Sequence, residues 1–269
     1  MATLDQALLA DYADAFRTRG PLSNPVWFLV PEEDAAVDLD AASRRILAWD
    51  RAGRPTGAAV GAAARAAAGA GADRAAPGDP LPRIDGRATA STTRSNLARV
   101  LLGLCGEPLD AEAGRRAEAL GRDGQACLMT LFPLPAPEAG AWFYGRVPHD
   151  PAADGPDRFA SRRAYREHYL PRRLDAIVSL VGRHRPEALV CTSWTHRGQL
   201  RERLEDVELP DLGLEGTGRR ALIGRLGDTV VAVCTDPARR AAGPRNAFYH
   251  RLGRAVAERV PPAARALAA

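Results

Sequence analysis

Five short apolar runs, none longer than seven residues, punctuate the chain: 26–30 (V-W-F-L-V), 126–132 (A-C-L-M-T-L-F), 188–193 (A-L-V-C-T-S), 221–226 (A-L-I-G-R-L) and 229–234 (T-V-V-A-V-C). Each is too short to be a helix with one dry face. None shows the strict alternation of a strand with one wet face. Such runs predict strands buried on both sides. Helical spacing fills the intervals between them. Leu8, Leu9, Tyr12 and Phe16 mark a first helix, stopped by Gly20-Pro21, and 38–51 reads as a second. Ser95 is an expected N-cap for Leu97, Val100, Leu101 and Leu104. Leu170, Leu174, Ile177, Val178 and Val181 lie on one face of a long helix from Ser161 to His184, expected to bend or restart near Pro171. Phe248, Leu252 and Val256 mark a last helix, entered through Gly243-Pro244. The final two runs, joined by Gly227-Asp228, read as a hairpin. Strands alternating with helices make this an α/β chain, with a mainly parallel sheet covered on both faces.

Composition narrows the chemistry. All 37 basic residues are arginine, and none of the 269 residues is lysine. Schiff-base catalysis, a P-loop lysine on phosphates and a lysine general base are therefore excluded. Abundant Ala, Arg, Gly and Pro alongside the missing lysine fits a G+C-rich coding bias, so the net charge of +4 permits an anionic partner without indicating one. Cys105, Cys127, Cys191 and Cys234 form no C-x-x-C pair, and three of them fall in apolar runs. That pattern predicts reduced, buried thiols, and neither zinc nor a disulfide framework. His149, His168, His184, His196 and His250 share no ligand spacing, so no metal and no other cofactor is expected. The opening residues carry early Asp and no basic segment, and no apolar run approaches membrane-spanning length. The expectation is a cytoplasmic protein, not in a membrane, and a monomer.

Residues 52–90 differ in texture, because they hold almost no large apolar side chain. They read as a low-complexity Ala/Gly-rich excursion. Their glycines follow no strand and never settle into G-x-G-x-x-G. The sharper catalytic signatures, G-x-S-x-G, H-E-x-x-H and the P-loop, are absent.

In an open α/β sheet, ligands bind beyond the carboxyl ends of the strands, so the segments after the runs are the candidates. Pro31-Glu32-Glu33-Asp34 crowds three carboxylates together. In an enclosed cleft they would raise one another's pKa, and Glu32 or Glu33 could then serve as a general base or stabilise a cation. The plain alternative is that they cap the next helix. Phe132 to Pro137, with Trp142, Phe143 and Tyr144 behind, forms either a rigid wall for stacking a flat heterocycle or a loop-anchoring core. Trp194 and His196 follow the third run directly. After the last run, Arg239, Arg240, Arg245 and Asn246 lead into the final helix, where guanidinium groups and free backbone N–H groups favour phosphate.

Taken in order, W-F-L ending in Glu32-Glu33, L-x-x-L-F-P-L-P-A-P followed by Trp142 and Tyr144, Y-R-E-H-Y-L-P-R-R-L before a long helix, and Asp236-Pro237 with a downstream G-P-R-N resemble one family. It is the uncharacterised bacterial branch of the uracil-DNA glycosylase-like superfamily, and the resemblance covers about residues 24 to 256. It implies a single domain over residues 1–269, apart from the excursion. The implied fold is a three-layer α/β/α sandwich around a central, mostly parallel sheet of four to five strands. It also implies hydrolysis of an N-glycosidic bond of a base in DNA or a nucleotide, with Glu32 or Glu33 as the catalytic carboxylate. Phe132, Thr130, Trp194 and Asp236 are then expected around the base, and Arg239, Arg240, Arg245 and Asn246 on phosphate. The chain departs from the family pattern at three places. Asp236 stands where a His is usual, Thr130 where an Asn reads the base, and Asp34-Ala35-Ala36 where a Gly follows Glu-Glu. These departures open a second reading, a catalytically inactive protein binding nucleic acid or a nucleotide on the same fold. A third is an α/β domain that binds some other small ligand.

Overall fold

A computed structural model of the chain describes residues 4–15, 18–32, 38–54, 88–110, 126–135, 142–149, 156–212, 219–235 and 245–261. In chain order the elements are helix α1 (Gln6–Asp14), β1 (Thr18–Arg19), β2 (Val26–Glu32), α2 (Leu39–Arg51), α3 (Ala88–Leu104), β3 (Ala126–Phe132) and α4 (Arg162–His184). They continue with β4 (Ala188–Cys191), α5 (Arg197–Arg201), β5 (Glu205–Glu208), β6 (Ala221–Leu226), β7 (Thr229–Cys234) and α6 (Arg245–Arg259). Short 3-10 turns cover Tyr144–Arg146 and Trp194–His196.

The strands hydrogen-bond in the order β1-β3-β2-β4-β7-β6-β5. β2 and β7 each run parallel to β4, whereas β6 is antiparallel to both β7 and β5. The sheet is therefore mixed. Beyond the two-residue β1 it has six strands among the described residues, one more than the upper end of the sequence expectation. The extra strand is β5, whose sequence E-D-V-E carries no apolar signal and whose side chains are mostly exposed. One helix differs from the sequence reading: α3 begins at Ala88, ahead of Ser95. α4 runs unbroken from Arg162 to His184, so the chain does not restart at Pro171, which lies inside it. The hairpin is as expected: β6 and β7 pair from Ala221↔Cys234 to Leu226↔Thr229, and Gly227 takes φ +57° between them.

The chain groups into two compact units. One comprises Gly20–Val30, Ala75–Leu128 and Val178–Ala269. In it Phe28, Val190, Ala232 and Ile223 lie side by side across β2, β4, β7 and β6. That row packs against Leu97, Val100 and Leu101 of α3 and Phe248, Leu252 and Val256 of α6. Leu29, Leu189, Cys191, Val231 and Val233 point to the opposite face and are equally buried. Both faces are thus dry, as the unbroken apolar runs require. Buried Cys191 has its thiol pushed up to about 12 by desolvation, so it is an inert apolar filler.

The other unit comprises Met1–Arg19, Pro31–Arg74 and Met129–Ile177. Asp5 and Asp38 cap α1 and α2 through the Leu8 and Ala41 amides, both at 2.7 Å. Tyr12 meets Trp49 edge to face at 5.1 Å, joining the two helices. The remaining core is aromatic and is built on Phe132, Tyr144, Phe159, Tyr165 and Tyr169. No described helix is long and apolar enough to cross a membrane.

Candidate functional site

Beyond the carboxyl ends of β4 and β7, within the first unit, lies a pocket of about 570 Å³. Chain geometry explains each wall. At the exit of β4, Thr192 ties the strand to β2, because its amide donates to the Leu29 carbonyl at 2.8 Å. The chain then turns through Trp194–His196 into α5. This places Trp194, Arg197, Gly198 and Arg201 along one side. The Arg197 guanidinium lies over the Trp194 ring, 5.1 Å from its centroid, and its Nη1 donates to the Trp194 carbonyl at 3.1 Å.

The second side comes from the start of β6. Because β6 is antiparallel to β7, its first residues sit at β7's carboxyl end, as the Ala221↔Cys234 register requires. Arg219, Arg220, Ala221 and Leu222 therefore line the same pocket as Trp194. Arg219 is held in place: its Nη1 donates to the Tyr249 hydroxyl at 2.5 Å, and that hydroxyl donates to the Thr235 carbonyl at 3.2 Å. Its guanidinium also lies 5.0 Å from the Tyr249 ring centroid and 5.7 Å from that of Phe248. Arg219 is half-buried, whereas Arg197, Arg201 and Arg220 are exposed.

The third side is Leu209, Pro210, Asp211 and Leu212, fastened to α6 by Arg251, which donates to the Leu212 carbonyl at 2.8 Å. Among the described residues, four arginines and one aspartate line the pocket together with Trp194, Phe248, Leu209, Pro210, Leu212, Ala221, Leu222 and Gly198. Such a pocket combines strong attraction for an anion with apolar and aromatic surface for a flat organic body.

Of the residues expected from the sequence, Trp194 belongs to this pocket. Glu32 ends β2, its side chain outside the described set, and Glu33 lies outside the described residues altogether. Asp236, Arg239 and Arg240 also lie outside the described residues. Arg245 and Asn246 open α6, as expected, but only their backbone is described. Thr130 is half-buried on β3, and its carbonyl accepts from Arg173 at 2.8 Å. Phe132 is fully buried in the second unit, against Tyr165 at 5.9 Å and beneath Arg166 at 5.5 Å. Trp142, Phe143 and Tyr144 take the loop-anchoring role. The Trp142 indole donates to the Phe159 carbonyl at 2.5 Å, and the Tyr144 hydroxyl to the Pro135 carbonyl at 2.8 Å.

Sequence reasoning did not single out Arg197, Arg201, Arg219 or Arg220. A signal existed for the first two, which stand four residues apart just after a strand exit, on one helical face. Comparison with family models, curated proteins and solved structures returned no match.

Proposed function

We propose that this protein binds a nucleotide or nucleic-acid ligand in the arginine-lined pocket beyond β4 and β7. The observation that carries the reading is the convergence of Arg197, Arg201, Arg219 and Arg220 with Trp194 and Phe248 in a pocket of about 570 Å³, a volume suited to one small organic anion. Guanidinium forks match phosphate oxygens, and the aromatic and aliphatic surface suits a ring. Equilibrium binding of labelled single-stranded and duplex oligonucleotides and of free nucleotides, across a salt series, tests it. Removing Arg197, Arg201 and Arg220 together should weaken binding by at least about tenfold and flatten the salt dependence by about one unit of slope per arginine lost. Binding that is indifferent to all three substitutions would place the ligand elsewhere.

A hydrolytic reading on the same fold draws on one further observation. Glu32 closes β2, a strand flanked by β3 on one side and β4 on the other, which is where the strand order reverses and α/β enzymes place their ligands. In this reading Glu32 or Glu33 activates water against the glycosidic carbon. Loss of base release in Glu32→Gln or in Glu33→Gln, with oligonucleotide binding retained, supports hydrolysis. Absence of base release from every modified oligonucleotide tried with the unaltered protein removes it.

A further inference from the structure

The four arginines of the pocket are not equivalent, and the difference points to a particular chemical group. Arg197, Arg201 and Arg220 are exposed. Such side chains lose rotamer freedom when they engage a ligand, and their contribution is screened by salt. Arg219 is already ordered by the Tyr249 hydroxyl and the two rings beside it, so little conformational entropy remains to be lost on binding. Its neighbours on the pocket surface, Phe248, Ala221 and Leu222, are buried and apolar, and charge-assisted hydrogen bonds are strongest in such surroundings. One half-buried, hydrogen-bonded cation with three exposed ones, opposed among the described lining residues by Asp211, is matched by a ligand group carrying close to two negative charges on a compact centre.

Among phosphates, a monoester carries roughly −1.5 to −2 at pH 7, whereas an internal diester carries a single charge. Size points the same way. About 570 Å³ holds one nucleotide-sized body. In the same lining, Trp194 with Arg197 over it offers a flat surface on which a heterocycle can lie.

We infer that the pocket is a receptor for a terminal phosphate monoester attached to a single flat ring system, with Arg219 as the residue that selects the doubly charged phosphate. This deepens the nucleotide-binding reading and rests on it. A free nucleoside monophosphate and the phosphorylated end of a single strand present the same chemistry, and the site takes that chemistry from either source.

Tryptophan fluorescence of the full chain, titrated with five probes, tests the inference. The probes are a nucleoside monophosphate, the matching nucleoside, inorganic phosphate, and a single-stranded oligonucleotide with and without a terminal phosphate. The monophosphate is expected to bind at least about tenfold more tightly than either the nucleoside or inorganic phosphate. Its affinity should fall below about pH 6 as the phosphate dianion takes up one proton and becomes a monoanion. Tighter binding of the phosphorylated strand than of its hydroxyl twin shows that a strand end enters as well. Equal binding of the two strands, with the monophosphate bound, assigns the site to free nucleotides. Both results leave the inference standing.

Arg219→Lys keeps the charge and loses the fork, and should cost about tenfold or more with the pH dependence blunted. Arg220→Ala, at an exposed position where folding is not at stake, should cost less and mainly reduce salt sensitivity. Arg163→Ala, on the exposed face of α4, is the unaffected control. If oligonucleotides bind regardless of a terminal phosphate while the monophosphate does not, the inference falls and nucleic-acid binding survives. If no probe binds, both fall. If inorganic phosphate binds as tightly as the monophosphate, the ring has no role and the inference falls.

Discussion

Arg173 shows how a polar residue can be structural here. Its side chain is only 2% exposed, yet it carries a full charge. It donates to the backbone carbonyls of Thr130 at 2.8 Å, Leu131 at 3.2 Å, Ala15 at 3.2 Å and Asp14 at 3.4 Å. Asp14 and Ala15 end α1, where carbonyls lack intrahelical partners and the helix dipole favours a cation. The planar fork lets one residue on α4 serve both that helix end and the end of β3, a geometry that an ammonium on a flexible stem does not reproduce. Arg173→Ala, which strips the partner from several buried carbonyls, is expected to cost about 3 kcal/mol or more, and Arg173→Lys about 1–2 kcal/mol. Urea unfolding monitored by circular dichroism reads both. Midpoints equal to that of the unaltered chain would mean the carbonyls find other partners without cost. Phe132 carries the same lesson: an aromatic at a strand end invites a stacking role from sequence, and only burial distinguishes that role from the core.

At the level of elements, the contact between α3 and α6 is set by two glycines. A Cβ at Gly103 would run into the His250 carbonyl oxygen, and one at Gly253 into the Val100 carbonyl oxygen, so the helices approach backbone to backbone. Gly253→Ala should therefore destabilise by about 1–3 kcal/mol despite the better helix propensity of alanine. The same change at Gly182, a helical glycine with open space around it, should be neutral or slightly stabilising. Paired thermal melts check this, and equal shifts at the two sites would overturn the close-packing account. Apolar runs declared three strands, β2, β3 and β4, and the hairpin, because burial on both faces leaves no room for polar residues. β5 was not legible. It is an exposed edge whose pairing with β6 is irregular, with Asp206 at φ +50°, and its charges serve to discourage further strands from adding. The true start of α3 was hidden because A-T-A-S-T-T-R-S offers no apolar face to count. The pocket was half legible for a topological reason. Residues after parallel strands were the natural place to search, which finds Trp194. Arg219 and Arg220 precede a strand, and they reach the same place only because β6 runs the other way.

For the molecule as a whole, the absence of lysine turns a general ambiguity into an experiment. With 37 arginines against 33 acidic residues, any polyanion is attracted weakly all over the surface, and loss of binding in salt does not by itself locate a site. Chemical modification does locate one, because the two cationic side chains that ordinarily share this role react with different reagents, and here only one is present. Acylation of amines modifies no side-chain amine in these 269 residues, so ligand affinity should be unchanged after it. A dicarbonyl reagent that condenses with guanidinium groups should abolish binding. Saturating ligand should then protect Arg197, Arg201 and Arg220, the exposed arginines of the pocket, while the exposed Arg163 reacts equally with and without ligand. Peptide mass spectrometry of the modified chain reads the pattern. Protection spread evenly over exposed arginines would mean that the attraction is that of a generally basic surface. Protection confined to peptides bearing Arg197, Arg201 and Arg220 would mean that two segments remote in sequence, gathered by an antiparallel hairpin beside two parallel strands, act as one receptor.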